Sequence, residues 1–389
     1  MNFDPDPEQQ LIADTARAFA ERELAPRAVA RDRDHLFPEA EMRRLGELGL
    51  LGVTVPAAWG GSEAGPVALA LAVREVARAD ASVAVTMSVT NMVAEILARC
   101  GTDEARRVHL PALCSGDAVA GAFALSEAQA GSDPRAMTTT VERSPTGGYV
   151  ITGQKLWTTS GDRAGVLIVA ARHGASMAAP GYSAFVLPTP APGLTPGKRE
   201  RKMGQHGSST MAMTFDAVTV AANALLSGEG DGLRVALAGL GSGRIGIAAL
   251  SIGIGQAALE AARRHVRERE QFGAPLGTLQ AIQFMLADAA TGLDAAWLST
   301  LQAAWRKQTD QPFVRQACQA KLLASEIANQ VCDRAIQMLG GYGYTRDFPV
   351  ERYFRDARVT TLYEGTSQIQ RLVIARELLR EAGSGRAPI

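Results

Sequence analysis

Leu362-Tyr363-Glu364-Gly365-Thr366-Ser367-Gln368-Ile369-Gln370 places one carboxylate on a glycine hinge just ahead of a helix start. Ser367 and Gln370 have the S-x-x-Q spacing of a capping box, which predicts a helix from about Ser367 through RLVIARELLR. Glu364 then lies in the turn before that helix, aimed by Gly365 rather than committed to a helical face. Apolar Leu362 and Tyr363 on one side favour desolvation, which raises a carboxyl pKa and makes it a better proton acceptor. The positive end of the following helix pulls the other way, and the residues alone leave the balance open. They also leave open an ordinary exposed glutamate beside an N-cap.

The terminal helix is the last of four long helical patterns. GLRVALAGLGSGRIGIAALSIGIGQAALEAARRHVRERE is rich in Ala and Gly and almost uncharged until Glu260, the texture of a helix packed on several sides. TLQAIQFMLADAATGLDAAWLSTLQAAWRK and PFVRQACQAKLLASEIANQVCDRAIQMLG follow, and short connections predict a four-helix bundle over residues 227–389. Within the first of these, Gly241-Ser242-Gly243-Arg244-Ile245-Gly246 matches the dinucleotide fingerprint G-x-G-x-x-G. No strand boundaries precede it and no acidic residue follows at about twenty positions, so it reads as a close-packed helix. Arg244 is a lone cation in that apolar helix and demands a partner.

From Asp117 to about residue 226 the chain breaks into short apolar runs separated by Gly, Pro, Ser and Thr, among them AMTTTVERS, YVITGQKLWTT, VLIVAAR, YSAFVLP and MAMTFDAV. These predict a middle β domain, a barrel or sandwich. Residues 1–116 read as a helical domain: Pro7 suits a first helical position after Asp6, Leu11, Ile12, Thr15, Ala16 and Phe19 form a stripe, and Pro26 marks an end. Four further helical patterns follow, PEAEMRRLGELGL, PVALALAVREVARA, VAVTMSVTNMVAEILARC and DEARRVHLPAL. The fold class is thus α+β and multidomain, helical, then β, then helical bundle.

The 389 residues exceed one usual core. Lys plus Arg and Asp plus Glu balance at 40 each, so no net field favours nucleic acid or an acidic membrane surface. No uninterrupted apolar run reaches the roughly 18 residues of a membrane span, and MNFDPDPEQQ lacks the basic and apolar regions of a leader. The expectation is a cytoplasmic protein without membrane or nucleic-acid partners. Cys100, Cys114, Cys318 and Cys332 show no C-x-x-C pair and read as buried free thiols, and the five histidines have no metal-ligand spacing.

In the β region, Phe123-Ala124-Leu125-Ser126-Glu127, Gly131-Ser132-Asp133 and Lys155-Leu156-Trp157-Thr158-Thr159 place hydroxyls and a large aromatic plane at strand ends, suited to a ring with hydrogen-bonding edges; each string alone reads equally as ordinary strand-end chemistry with a core Trp. In the bundle, Arg269-Glu270-Gln271-Phe272-Gly273 and Gln337-Met338-Leu339-Gly340-Gly341-Tyr342-Gly343 end two helices; taken alone, the first is a C-cap and the second a tight reversal.

In this order along the chain, REQFG, QMLGGYGY and YEGTSQIQ resemble the signatures of the acyl-CoA dehydrogenase family of flavoenzymes, and the resemblance runs from about Pro7 to Arg380. The resemblance implies FAD as cofactor and Glu364 as the base that takes the proton alpha to the thioester carbonyl while a hydride leaves the beta carbon for flavin N5. The backbone N–H of Glu364 and a ribityl hydroxyl would polarise that carbonyl. It implies flavin contacts from Phe123, Leu125, Ser126, Trp157 and Thr159, with Trp157 over one flavin face. Arg269, Gln271, Phe272, Gln337 and Gly341 would bind the FAD of a neighbouring subunit, with Thr366 and Gln368 completing the contacts, so a homotetramer is implied. Ser132, Arg244, Leu250, Thr360, Tyr363 and Gly365 are the substrate positions. Electron-transferring flavoprotein is the implied acceptor, and fatty acid metabolism the setting.

The C-terminal half looks most like the short-chain, butyryl-CoA dehydrogenase-like branch, which implies a short- to medium-chain acyl-CoA. The chain departs from the family pattern at Ala128 and Gln129, where Pro and Gly are common, which predicts loss of a rigid turn; at Gly241, where Asp is common; and at Leu250, where short-chain relatives have Gln. A flavin oxidase or monooxygenase on the same fold, or a dehydrogenase of a carrier-protein-bound acyl group, is the alternative.

Overall fold

A computed structural model describes residues 4–383; residues 1–3 and 384–389, including the ends of the first and last expected domains, lie outside it. The chain opens with α1 (Pro7–Phe19), started by Asp6, whose side chain accepts from the Gln9 N–H. Leu11 is 66% exposed, so it does not belong to the buried stripe, which runs through Ala13, Ala16 and Phe19 instead. The chain does not end its helical course at Pro26: a π turn over Ala20–Leu24 and a 3-10 turn over Ala25–Arg27 lead into α2 (Ala28–Asp34). Then come α3 (Glu39–Glu47), α4 (Gly65–Ala79), α5 (Ala81–Cys100) and α6 (Asp103–Ser115).

The middle of the chain forms one mixed eight-stranded sheet of β1 (Gly121–Ala124), β2 (Thr140–Arg143), β3 (Tyr149–Thr159), β4 (Val166–His173), β5 (Tyr182–Pro188), β6 (Leu194–Arg199), β7 (Thr210–Val220) and β8 (Leu225–Leu226). The order is β6-β7-β3-β2-β4-β5-β8, with β1 lying parallel on β4. β4 is buried on both faces, which explains its unbroken apolar run. Leu167, Val169 and Ala171 join Ile151, Met213 and Phe215 in a core of the sheet's own, while Val166 and Ile168 face the helical core. β1 and β6 carry too weak an alternation to be seen in the sequence.

The C-terminal part begins with the 37-residue α7 (Gly232–Glu268), whose axis passes through the G-x-G-x-x-G string without a break. A small hairpin, β9 (Glu270–Gln271) and β10 (Ala274–Pro275), leads to α8 (Gln280–Gln308), α9 (Val314–Leu339), α10 (Val350–Arg358) and α11 (Ser367–Gly383). α7 packs against α8, α9 and α10, and also against α4 and α5, so the first and last thirds share one continuous core. At Gly253 the approach is so close that a Cβ would sit 2.4 Å from the Arg74 carbonyl oxygen of α4. Neither α5 nor α7 carries an uninterrupted apolar run of the roughly 18 residues of a membrane span, but by length and mean hydropathy both are long and apolar enough to cross a bilayer. Their apolar windows are 94% and 78% buried within the protein, as core helices require. All four cysteines are free, and Cys100 is only half-buried rather than buried.

Candidate active site

The hinge that precedes α11 is a left-handed pair. Glu364 has φ +53° and Gly365 φ +85°, and a non-glycine residue holds such a conformation only where its surroundings impose it. The cap differs from the expected box by one residue. Thr366, not Ser367, supplies it: its hydroxyl accepts from the Ile369 N–H at 3.3 Å, while the Ser367 Oγ is buried without a partner. Gln370 is thereby freed to reach back, its Nε2 donating to the carbonyls of Glu364 (3.0 Å) and Gly365 (2.8 Å). From α9, the Lys321 Nζ donates to the same Gly365 carbonyl at 2.8 Å. Two donors from two helices thus hold the strained hinge.

The Glu364 side chain points at α7 and α5. A Cβ built on Gly243 would lie 2.6 Å from Glu364 Oε2 and 2.9 Å from the Met92 Sδ, so the missing side chain of Gly243 is the space the carboxylate occupies. Although the residue as a whole is half-buried, Oε2 is buried and makes no hydrogen bond. Burial pushes the Glu364 carboxyl up from 4.5 to about 7, against the opposing pull of Arg244 and Lys321. Desolvation therefore outweighs the two neighbouring cations. Among the described residues no carboxylate lies within ion-pair distance of Arg244; its Nη1 donates to the Cys318 Sγ at 3.3 Å and its Nε is buried without a partner. Arg244 is therefore not one half of a structural ion pair.

A β-domain loop secures the turn from the other side. Gln205 Nε2 donates to the Tyr363 hydroxyl (3.3 Å) and to the Asp356 carbonyl (3.1 Å), and the Gln205 N–H donates to Asp356 Oδ1 at 2.5 Å. Burial holds Asp356 up at about 7 despite that backbone bond, and it raises the Tyr363 phenol as well.

The β-domain strings come together as a second surface. The Leu156 N–H donates to the Ser126 carbonyl at 2.8 Å, and the fully buried Lys155 donates to the Leu125 carbonyl (3.0 Å) and to Glu127 Oε1 (2.8 Å). Burial of Glu127 is outweighed by Lys155 and by the N–H groups of Thr138 and Thr139, which hold it well below the usual carboxylate range. β3 bulges between Lys155 and Thr158. At that bulge Trp157 takes φ +58° and stands 61% exposed, an aromatic plane turned out of the sheet where bulges commonly re-aim side chains. The hydroxyls of Thr158 and Ser160 beside it are buried without partners. Phe123 is half-buried, Leu125 buried, and Ser126 and Thr159 half-buried around the same edge. Ala128 and Gln129 do not loosen the following turn, because Glu127 and Ala130 exchange two backbone bonds of 3.1 Å and Gln129 Nε2 donates to Glu127 Oε2 at 2.7 Å. Ser132 is exposed beyond it. Replacing Lys155 by Met leaves Glu127 buried without its cation and is expected to cost about 3 kcal/mol of stability, read as a lower urea midpoint.

At the far end of the bundle, Arg269 is the C-cap of α7, its N–H donating to the His265 carbonyl at 2.8 Å; Arg269 and Gln271 are exposed, and Phe272-Gly273 form the tip of the β9–β10 hairpin. Phe272 has φ +55° and is 93% exposed. The Arg269 guanidinium lies 5.7 Å from the centre of the Tyr342 ring, which brings this hairpin beside the exposed Gln337 and Gly341. Gln368 is exposed and Thr366 half-buried at the start of α11. Leu250 and Thr360 are wholly buried, and the Thr360 hydroxyl donates to the Ala357 carbonyl at 2.6 Å, so neither faces open space.

Three models of one family match in sequence: the acyl-CoA dehydrogenase N-terminal domain at residues 6–117, the middle domain at 122–218 and the C-terminal domain at 230–379. The chain belongs to the acyl-CoA dehydrogenase family. It is 44% identical over 372 residues to the mitochondrial short-chain specific acyl-CoA dehydrogenase of Homo sapiens, covering 95% of this chain and 90% of that one. It is 43% identical over 382 residues to the probable acyl-CoA dehydrogenase YngJ of Bacillus subtilis, covering 98% and 100%. The solved structure of butyryl-CoA dehydrogenase from Megasphaera elsdenii superposes with a TM-score of 0.95 at 38% identity, covering 98% of this chain and all of that one.

For a member of this acyl-CoA dehydrogenase family, several residues of the site escaped reading from the sequence. Lys321 lies on the buried stripe Ala317, Cys318, Ala320, Lys321, Ala324 of α9, and a cation on an apolar face signals a partner. Gln205 and Met92 carry no such signal, because their roles depend on the meeting of segments far apart in the chain.

Proposed function

We propose that this protein catalyses the FAD-dependent alpha,beta-dehydrogenation of a short- to medium-chain acyl-CoA to the trans-2-enoyl thioester, with Glu364 as the base. The observation that carries the reading is the Glu364 carboxylate itself: strained, desolvated, held near neutrality at about 7 and left with a free oxygen. Such a group is poised to take a weakly acidic C–H proton. The residues fit a flavin, since the exposed Trp157 plane and the unpartnered hydroxyls of Thr158 and Ser160 offer a ring face and polar edges at one strand end.

Phe123, Leu125, Ser126, Trp157 and Thr159 would hold it in one subunit, with Arg269, Gln271, Phe272, Gln337 and Gly341 reaching it from a second and Thr366 and Gln368 completing the contacts. Bound FAD supplies the two-electron acceptor for the hydride from the beta carbon. Tyr363 and Gly365 flank the thioester position, and the N–H of Glu364 polarises its carbonyl as charge develops. Arg244 and Ser132 take the remaining substrate contacts. Leu250 and Thr360 take the positions at the acyl end, though both are wholly buried and face no open space; the short chain rests on the likeness to short-chain relatives.

A homotetramer accounts for the exposure of Phe272 (93%), Tyr344 (88%), Leu379 (76%) and Leu372 (66%), apolar surface that a second copy would cover. The same reading takes electron-transferring flavoprotein as the acceptor, fatty acid metabolism as the setting and the cytoplasm as the place, without membrane or nucleic-acid partners.

The test is the visible spectrum of the purified protein under anaerobic conditions, before and after acyl-CoAs of increasing length. Flavin absorbance should bleach with short and medium chains. A yellow protein that no acyl-CoA bleaches would overturn the free-CoA assignment in favour of a carrier-bound substrate, and oxygen uptake on substrate addition would move the reading to an oxidase.

A further inference from the structure

Beneath the hinge lies a buried cation that the proposed reaction does not use. Lys321 is wholly buried on α9, and its Nζ hydrogen bond to the Gly365 carbonyl places its charge one residue from the base. Placing an ammonium where no solvent reaches it is costly unless it is paired or serves an electrostatic purpose. Among the described residues no carboxylate lies within ion-pair distance of it, since its neighbour Glu326 is engaged by Arg371 at 2.7 Å. We propose that Lys321 is a positioning residue for the base, its ammonium fastening the left-handed Glu364-Gly365 hinge and keeping a positive charge beside the Glu364 carboxylate so that the base stays charged and aimed. The proposal rests on Glu364 being the base.

The surroundings of Glu364 leave this role to few groups. α7 presents Arg244, the larger of the two cationic influences on the carboxylate, but its Nη1 is directed to the Cys318 Sγ rather than to the hinge. α9 presents Lys321 and the Cys318 thiol, which burial raises. α5 presents the uncharged Met92. α10 presents Asp356, bonded to Gln205 and acting on Tyr363 rather than on the carboxylate. From α11, Gln370 donates to the hinge carbonyls without charge, while Arg376 and Glu377 act on Cys318. Lys321 alone combines a bond to the hinge with a charge that acts on the carboxylate: burial draws it down to about 8, and Glu364 is the largest opposing influence. At neutral pH it therefore remains mostly protonated.

Lys321→Gln keeps a donor for the Gly365 carbonyl and removes the charge; Lys321→Met removes both, and Lys321→Arg keeps the charge. The direct readout is the carboxyl stretch of Glu364 followed by infrared difference spectroscopy against pH, assigned by its absence in Glu364→Gln, with the pH profile of substrate-driven flavin reduction alongside. In Lys321→Gln the Glu364 titration and the acid limb of the rate profile should both move alkaline by about one unit, a loss of roughly tenfold in rate on that limb. Lys321→Met should add a loss of rate that no pH restores, and Lys321→Arg should keep the wild-type titration. A folded Lys321→Gln with an unmoved titration would overturn the proposal and leave Lys321 a structural clamp; should Met at this site prevent folding, the Gln variant still decides. Because the infrared titration does not depend on turnover, failure of the Glu364 assignment shows separately, as full activity in Glu364→Gln.

Discussion

Glu364→Gln is expected to lower the rate of flavin reduction by at least about 10³-fold while making the folded protein more stable above neutral pH. The first half follows from the loss of the proton acceptor, because an amide of the same shape cannot take the alpha proton. The second half follows from linkage. The folded carboxyl sits at about 7 against 4.5 when unfolded, so the fold favours the protonated form. Its contribution to stability is fully present below about 4.5 and is lost as the pH rises through about 7. Above that, the native state carries a desolvated charge, and the uncharged amide relieves it by about 2 kcal/mol. Thermal denaturation at pH 8 should show a higher midpoint for the variant, and at pH 4.5 the difference should shrink. Equal midpoints at pH 8 would mean that the carboxylate is not desolvated. In the wild type the reduction rate should climb as the pH rises through about 7, the range in which the base becomes charged.

Gly243→Ala is expected to cost about 10²-fold in rate with little or no loss of stability. The new methyl would start 2.6 Å from Glu364 Oε2 and 2.9 Å from the Met92 Sδ, both far ends of flexible side chains that can move. The fold therefore accommodates it, and the gain in helix propensity from Gly to Ala, about 1 kcal/mol in a helix interior, offsets the crowding. What does not survive is the aim of the base, because a displacement of about 1 Å at a reacting group can remove two orders of magnitude. Flavin content and melting temperature should match wild type while the single-turnover rate falls. A wild-type rate in this variant would show that the carboxylate has room to work from elsewhere.

Much of this site is legible in the linear chain because the chemistry is local. Glu364, Gly365, Thr366 and Gln370 lie within seven residues, and the hinge and the helix that follows can be read from their order, whereas the role of Glu364 as base is what the family resemblance implies. Periodicity likewise marks α4, α5, α7, α8 and α9, because each buries a face over several turns. The reading fails where a side chain has two possible partners. Thr366 and Ser367 are both good caps, and Gln370 is drawn to the hinge carbonyls of residues 364 and 365, so the box moves by one residue. The turn at Ala128 and Gln129 keeps its shape through backbone bonds that no residue type announces.

The amino-acid order is enough for the succession of helical, β and helical segments, since these depend on spacing within single elements, while the roles proposed for Glu364 and for the strings around Trp157 come from resemblance to the family. The raised pKa of Glu364, the outward turn of Trp157 at its bulge, the thiol partner of Arg244 and the complete burial of Leu250 and Thr360 emerge only when distant segments meet. Desolvation and electrostatic influence depend on three-dimensional surroundings, and around Glu364 those surroundings are drawn from α5, α7, α9 and a loop of the β domain, parts of the chain up to 272 residues away. A charge buried by its own neighbours in sequence can be anticipated; one buried by a helix from the other end of the molecule cannot.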